Sequence, residues 1–288
     1  MKTNNKVLKV FYENEQGNFG DILNVDIFKH MGFDIEYASK RKSEIVAIGS
    51  LLDLYLCDKK EYLKRFRYRF YKPAIVWGAG FIKDEEPDKV VLRKLNVHAV
   101  RGYNTLNRLK LLNDVKFDKN LAIGDPGLLT SYFFNTDKIK KKYALGIISH
   151  YVDENHESSK NINVKNSTRI NVVQNPIEFV KQVAECECIV SSAMHGLICA
   201  DSLGIPNMRI IQSNDIIGGD YKFNDYYSAF DIKNHKFINL NNQSINENDL
   251  QEIYDNYTIS REKVKNIQKA LLEAFPYESN ITVTEVSN

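Results

Sequence analysis

The chain has 288 residues, 43% of them hydrophobic, with 39 basic against 37 acidic side chains and a net charge of +2. That composition excludes a disordered chain, and so even a charge balance gives no electrostatic footprint for nucleic acid. No run of 18 apolar residues occurs, so no transmembrane helix is expected, and the polar start Met1-Lys2-Thr3-Asn4-Asn5-Lys6 lacks the apolar core of a secretory signal.

In chain order, apolar runs predict strands over 7–12, 45–49, 74–80, 98–101 and 121–123, with helices over 21–31, 51–71, 89–96 and 104–112 between them. Gly124-Asp125-Pro126-Gly127 breaks the pattern, and the polar, basic stretch 138–142 reads as a linker. Strands are expected again over 144–148, 169–173, 189–192 and 208–211, with helices over 176–185 and 195–203. A last helix, 261–275, aligns Val264, Ile267, Leu271 and Phe275 in one stripe, and the polar tail after Pro276 is expected to be loose. Strand and helix in alternation predict an α/β fold. Two Rossmann-like, doubly wound domains, 1–138 and 139–277, would face a cleft, the second carrying the closing C-terminal helix and a flexible tail, 278–288.

Two biased stretches stand out. On the helix expected over 51–71, Leu63, Phe66 and Phe70 align as an apolar stripe beside a basic one of Arg65, Arg69 and Lys72. A charged outer face over an ordinary core stripe is the favoured reading, and peripheral contact with anionic lipid headgroups is the alternative. Four cysteines are too few for a disulfide scaffold and fit a reducing cytoplasm. Cys186 and Cys188 would point to opposite faces of one strand and have no second Cys or His pair, so no metal site is expected.

The stretch from Ile189 to Pro206 passes from an apolar strand through Ser191-Ser192 and His195-Gly196 into a helix that Gly204 and Pro206 end. His195 thus sits where the free N–H groups of a helix start meet the carboxyl end of a strand. Ser-Ser-x-x-His-Gly-Leu-Ile followed by Ala-Asp-Ser-x-Gly-Ile-Pro resembles the signature of polysaccharide pyruvyl transferases. Asn18-Phe19-Gly20-Asp21, Trp77-Gly78-Ala79-Gly80-Phe81, Val100-Arg101-Gly102, Gly124-Asp125-Pro126-Gly127, Ile148-Ser149-His150-Tyr151 and Lys222-Phe223-Asn224-Asp225-Tyr226-Tyr227 resemble that family's other landmarks, in the same order. The resemblance implies a GT-B-like arrangement and transfer of pyruvate from phosphoenolpyruvate to a sugar of a cell-surface polysaccharide precursor, as a ketal, in the cytoplasm. Members often carry Arg-Leu before the histidine, where this chain has Ala193-Met194. Absence of that arginine, held to grip the anionic donor, requires another cation.

Ketal formation asks for a proton donor to the methylene carbon, a base for the sugar hydroxyls and positive groups for the departing phosphate, with no metal or cofactor needed in principle. His195 and Asp21 are the candidates for acid–base work. Arg101, His150 and Lys222 are candidate cations for the donor, Lys222 following Gly218-Gly219-Asp220-Tyr221, a flexible run that could close over a ligand. Ser191, Ser192 and Gly196 are donor-side residues, the serines serving equally well as helix caps. Asn18 and Gly20 are placed on the acceptor side, with Asn18 or Asp21 also a competent cap. Partners are phosphoenolpyruvate and a saccharide acceptor, lipid-linked or soluble, with no nucleic acid. The alternatives are a GT-B nucleotide-sugar glycosyltransferase and a noncatalytic phosphate or sugar binder. Gly78-Ala79-Gly80 lacks the third glycine of a dinucleotide fingerprint, so NAD is not expected.

Overall fold

The computed structural model describes residues 6–14, 17–68, 70–84 and 89–287. Its first sheet has strands β1 (Lys6–Phe11), β2 (Phe33–Tyr37), β3 (Ile45–Val46), β4 (Ala74–Trp77), β5 (Leu95–Val100) and β6 (Val115–Ile123), in the spatial order β2-β1-β3-β4-β5-β6. The second has β7 (Tyr143–Ile148), β8 (Ser167–Arg169), β9 (Cys186–Ser191), β10 (Asn207–Ile211) and β11 (Phe237–Asn239), in the order β8-β7-β9-β10-β11. Every neighbouring pair in both sheets is parallel. The helices that matter for the site are α1 (Phe19–His30), α2 (Tyr62–Tyr68), α3 (Tyr103–Lys110), α4 (Pro176–Ala184), α5 (Met194–Leu203), α6 (Gly219–Ser228) and α7 (Arg261–Glu273).

Both sheets are buried on two faces, as a parallel sheet requires. In β7 and β9, Ile148, Cys186 and Ile189 enter a core shared with β1, α1, α4, α5 and α7, while Leu145, Ile147, Cys188 and Val190 face a separate core behind. The thiols of Cys186 and Cys188 therefore point to opposite faces, where each donates to a local carbonyl, Gln182 O and Ala144 O. Phe19 at the start of α1 stacks on Phe179 of α4 with ring centroids 4.0 Å apart, and Phe19 N donates to Val172 O at 2.6 Å. Burying such a side chain contributes about 2 kcal/mol, so α1 is held to the second sheet's helices as well as to its own sheet.

Each sheet reverses direction once, between β1 and β3 and between β7 and β9. At such a switch the two crossovers leave in opposite directions and open a crevice at the carboxyl ends of the strands. Phe11 pairs with Val46 at the first switch and Ile148 with Ser191 at the second.

Three expected features differ. The helix expected over 51–71 is broken: a 3-10 turn at Leu52–Tyr55 leads into a strand, Leu56–Asp58, which pairs antiparallel with Lys89–Val91, and α2 covers only Tyr62–Tyr68. The helix expected over 89–96 is replaced by that partner strand and by the start of β5, because Val90 and Val91 suit a pleated edge. The tail is docked rather than loose: Asn280 N and Thr282 N donate to Met31 O and His30 O, Thr284–Glu285 pairs with Phe134–Asn135, and Val286 is buried. Helix α7 returns to the first sheet, where Trp77 Nε1 donates to Leu271 O at 2.9 Å and Ile267 packs on Gly124. No helix among the described residues is long and apolar enough to cross a membrane.

Candidate active site

Helix α5 starts directly from β9 through Ser192 and Ala193. Ala193 occupies the cap position with φ −90° and ψ 124° and has no side-chain oxygen to spend on the first N–H groups. Gly196 lies against the strand, since a Cβ there would stand 2.6 Å from Ser191 Oγ. His195 is thereby aimed across to the first sheet. A Cβ on Gly20 would lie 2.0 Å from His195 Nδ1, so the imidazole rests on the bare backbone of α1. Its Nε2 is 3.8 Å from Asp125 Oδ2, and neither atom has a hydrogen-bond partner among the described residues. The other Asp125 oxygen accepts from Gly127 N at 2.8 Å, which fixes the carboxylate beside the ring.

Asn18 caps α1. Its Oδ1 accepts from Asp21 N and its Nδ2 donates to Asp21 Oδ2. Burial raises the Asp21 pKa to about 7, against the lowering effect of His195 and with a further push from Glu13. A carboxyl poised there exchanges protons at neutral pH.

From the second sheet, His150 follows β7 and is held by its N–H to Ser192 Oγ at 2.9 Å. Burial, then nearby Lys222, depress its pKa to about 4 against the opposing Asp153, so it is a neutral imidazole at pH 7 rather than the cation expected from sequence. Lys222 is 8% exposed and makes no ion pair among the described residues. Burial and the neighbouring Arg101 and Arg209 lower it to about 8. It lies in α6, whose first turn takes up Gly219, Asp220 and Tyr221, where the sequence suggested a flexible run.

Arg101 does not line the cleft. It is fully buried: Nε donates to Asp225 Oδ2 at 2.8 Å, Nη1 to Ser50 Oγ at 2.6 Å and Nη2 to Phe81 O at 2.5 Å. Asp225 also accepts from Thr105 N and Oγ1, and a Cβ on Gly102 would lie 1.7 Å from Asp225 O. Arg101 therefore clasps α6 to the first sheet and positions Lys222; it does not grip the donor. Removing one partner of a buried pair leaves the other charge uncompensated, so Arg101→Met is expected to destabilise by about 3–5 kcal/mol. Denaturant unfolding checks this, and the double variant Arg101→Met/Asp225→Asn should recover part of the loss.

The cleft, about 340 Å³, is lined by Asn18, Gly20, Asp21, Ser50, Asp53, Leu54, His150, Tyr151, His195, Gly196 and Lys222 among others. Ser191 and Ser192, read as donor ligands, lie outside it. Ser191 Oγ donates within its own turn and to Ile148 O, and Ser192 Oγ joins Gln212 Oε1 to His150 N. Both hydroxyls hold the turn that presents His195. Asp125, Ser50, Asp53 and Tyr151 were not picked out as site residues by sequence. Asp125 sits in a quoted landmark, but nothing local shows that it faces residue 195. A larger cavity, about 570 Å³, lies between Asn135–Asp137 and Arg261–Gln268. It holds none of these groups, and its one buried acid, Asp201, is already bonded by Tyr226 and Asn207.

The model of the family described as polysaccharide pyruvyl transferase matches residues 4–214. The chain belongs to that family. It is 32% identical over 187 residues to uncharacterized protein L143 of Acanthamoeba polyphaga mimivirus, covering 61% of this chain and 63% of that protein. It is 23% identical over 227 residues to succinoglycan biosynthesis protein ExoV of Rhizobium meliloti (strain 1021), covering 77% and 64%. The chain thus spans less than two thirds of the length of these relatives. Pyruvyl transferase landmarks that lie far apart in this sequence are neighbours in space. Asn18–Asp21 and Asp125 surround His195, Gly78 admits Pro126, Gly80 admits the Arg101 guanidinium, and Gly102 admits Asp225. Lys222 and Asp225 lie beyond the matched residues.

Proposed function

We propose that this chain transfers pyruvate from phosphoenolpyruvate to two hydroxyls of a saccharide, as a ketal, in polysaccharide biosynthesis. The observation that carries this reading is His195, held over Gly20 between Asp21 and Asp125 and sharing the cleft with Lys222, in a chain of this family. A GT-B-like placement of the two halves, with the acceptor on the first and the donor on the second, is part of the same proposal. Lys222 and the uncapped N–H groups at the start of α5 receive the donor's anionic groups, Lys222 taking the part of the arginine missing at Ala193. His195 delivers the proton to the methylene carbon, and Asp21, with Asn18 beside it, takes a proton from an acceptor hydroxyl.

Two C–O bonds form at the enol carbon and its bond to the phosphate oxygen breaks. One hydroxyl proton ends on the new methyl group and the other on the leaving phosphate, so the reaction balances without a redox partner. The reading is tested by incubating the chain with phosphoenolpyruvate and a panel of soluble and lipid-linked oligosaccharides, following phosphate release and pyruvylated product together. Matched appearance of both is expected. Turnover of a nucleotide sugar alone would assign a glycosyltransferase, and donor binding without turnover on any acceptor would assign a noncatalytic relative.

The pH dependence has a worked sign. Asp21 acts only when ionised, so activity rises through about pH 7; Lys222 holds the donor only when protonated, so activity falls through about pH 8. A narrow bell in kcat/KM is expected, and Lys222→Arg should move the alkaline limb upward.

A further inference from the structure

At the amino-terminal ends of β3, β4 and β5, away from the cleft, lies a cavity of about 560 Å³ that the reaction does not use. Lys9, Arg41, Lys42, Lys72 and Arg93 line it against one carboxylate, Glu44. Arg93 is only 4% exposed, yet it makes no ion pair among the described residues. Its Nε donates to Lys72 O at 2.5 Å and its Nη1 to Lys40 O and Ser43 O at 3.0 and 2.9 Å, all neutral acceptors. A buried guanidinium without a counter-ion is costly and is matched by an anion. Lys42 and Lys72 likewise make no ion pair among the described residues, Lys9 reaches Glu36 at 3.7 Å, and Arg41 lies over the Tyr68 ring.

The segment that supplies Tyr71 and Lys72 to this cavity leaves the end of α2, and α2 does not bury the stripe its sequence suggested would be core. Leu63 is 80% exposed, Phe70 78% and Phe66 47%, and the Phe66 and Phe70 rings meet edge to face at 5.7 Å. The basic stripe read beside it falls partly on Arg69 and the Arg65 side chain, which lie outside the described residues.

We infer that this face docks on an anionic membrane surface, with a lipid phosphate in the Arg93 cavity and Leu63, Phe66 and Phe70 in the acyl boundary. Exposed apolar side chains that run directly into a cation-lined cavity, Phe70 being followed by the lining residues Tyr71 and Lys72, match a bilayer surface, where phosphate lies beside hydrocarbon; a soluble anion would find no use for the apolar group. The cleft opens at the opposite ends of the strands, so docking leaves it free, and the inference does not depend on the reaction proposed above.

The test is flotation of the whole chain with vesicles of pure phosphatidylcholine and with vesicles containing about one third phosphatidylglycerol, at low and high salt. Binding to the anionic vesicles alone, lost at high salt and reduced at least about tenfold in both Leu63→Gln/Phe70→Gln and Lys42→Glu/Lys72→Glu, is expected. These positions are exposed, so the thermal midpoint and donor binding should stay at wild-type values. No binding to anionic vesicles, equal binding to neutral ones, binding unchanged in either pair, or release by inorganic phosphate alone would overturn it.

Discussion

His195→Ala is expected to lower pyruvyl transfer by about three orders of magnitude, near the middle of the range for a positioned acid–base group. The loss should fall in kcat, because the donor contacts proposed for Lys222 and the start of α5 do not involve the imidazole. The imidazole holds down the Asp21 pKa, so its removal leaves that carboxyl further raised by burial, and the acid limb of residual activity should move above pH 7. Asp125→Asn keeps the shape of the site but removes the charge 3.8 Å from Nε2, and should lose about a hundredfold in kcat with little change in KM. Steady-state kinetics across pH separate these outcomes from unfolding, which would lower donor affinity and the thermal midpoint together.

Gly20→Ala should cost nearly as much as removing the histidine itself. Alanine is worth up to about 1 kcal/mol more than glycine within a helix, so α1 alone would favour the change. The added methyl, however, would stand 2.0 Å from His195 Nδ1 and 2.4 Å from its Cγ, so the ring must swing away from Asp125. A displacement of about 1 Å at a reacting group costs about a hundredfold. In a His195→Ala background the same substitution should cost almost nothing further, and this non-additivity is the readout that a general packing defect would not give.

Much of the architecture was legible because burial on both faces writes itself into short apolar runs, and β1, β4, β7 and β9 lie close to where those runs predict strands. The failures are places where distant residues decide. Leu56–Asp58 is a strand because Lys89–Val91 pairs with it, and Gly218-Gly219 reads as a loop although it opens α6. At the site, the turn from β9 into α5 and the start of α1 were readable from local signals, which put His195, Gly20, Asn18 and Asp21 at strand-to-helix junctions; that the imidazole lies on Gly20 is decided by packing between distant elements. Arg101 was misplaced because a strand-end position shows which edge of the sheet a side chain occupies, but not that Asp225, 124 residues later, captures it. Ser191 and Ser192 were misassigned for a related reason: buried hydroxyls satisfy nearby backbone groups first.

Calorimetric titration of phosphoenolpyruvate into the wild type, Lys222→Met and His195→Ala, with a UDP-sugar as control ligand, tests the donor assignment most directly. The expected result is saturable phosphoenolpyruvate binding that Lys222→Met weakens by about tenfold or more and His195→Ala largely preserves, with no heat from the UDP-sugar. Phosphoenolpyruvate that fails to bind, or binds equally well without Lys222, while the UDP-sugar saturates the protein would contradict the pyruvyl donor.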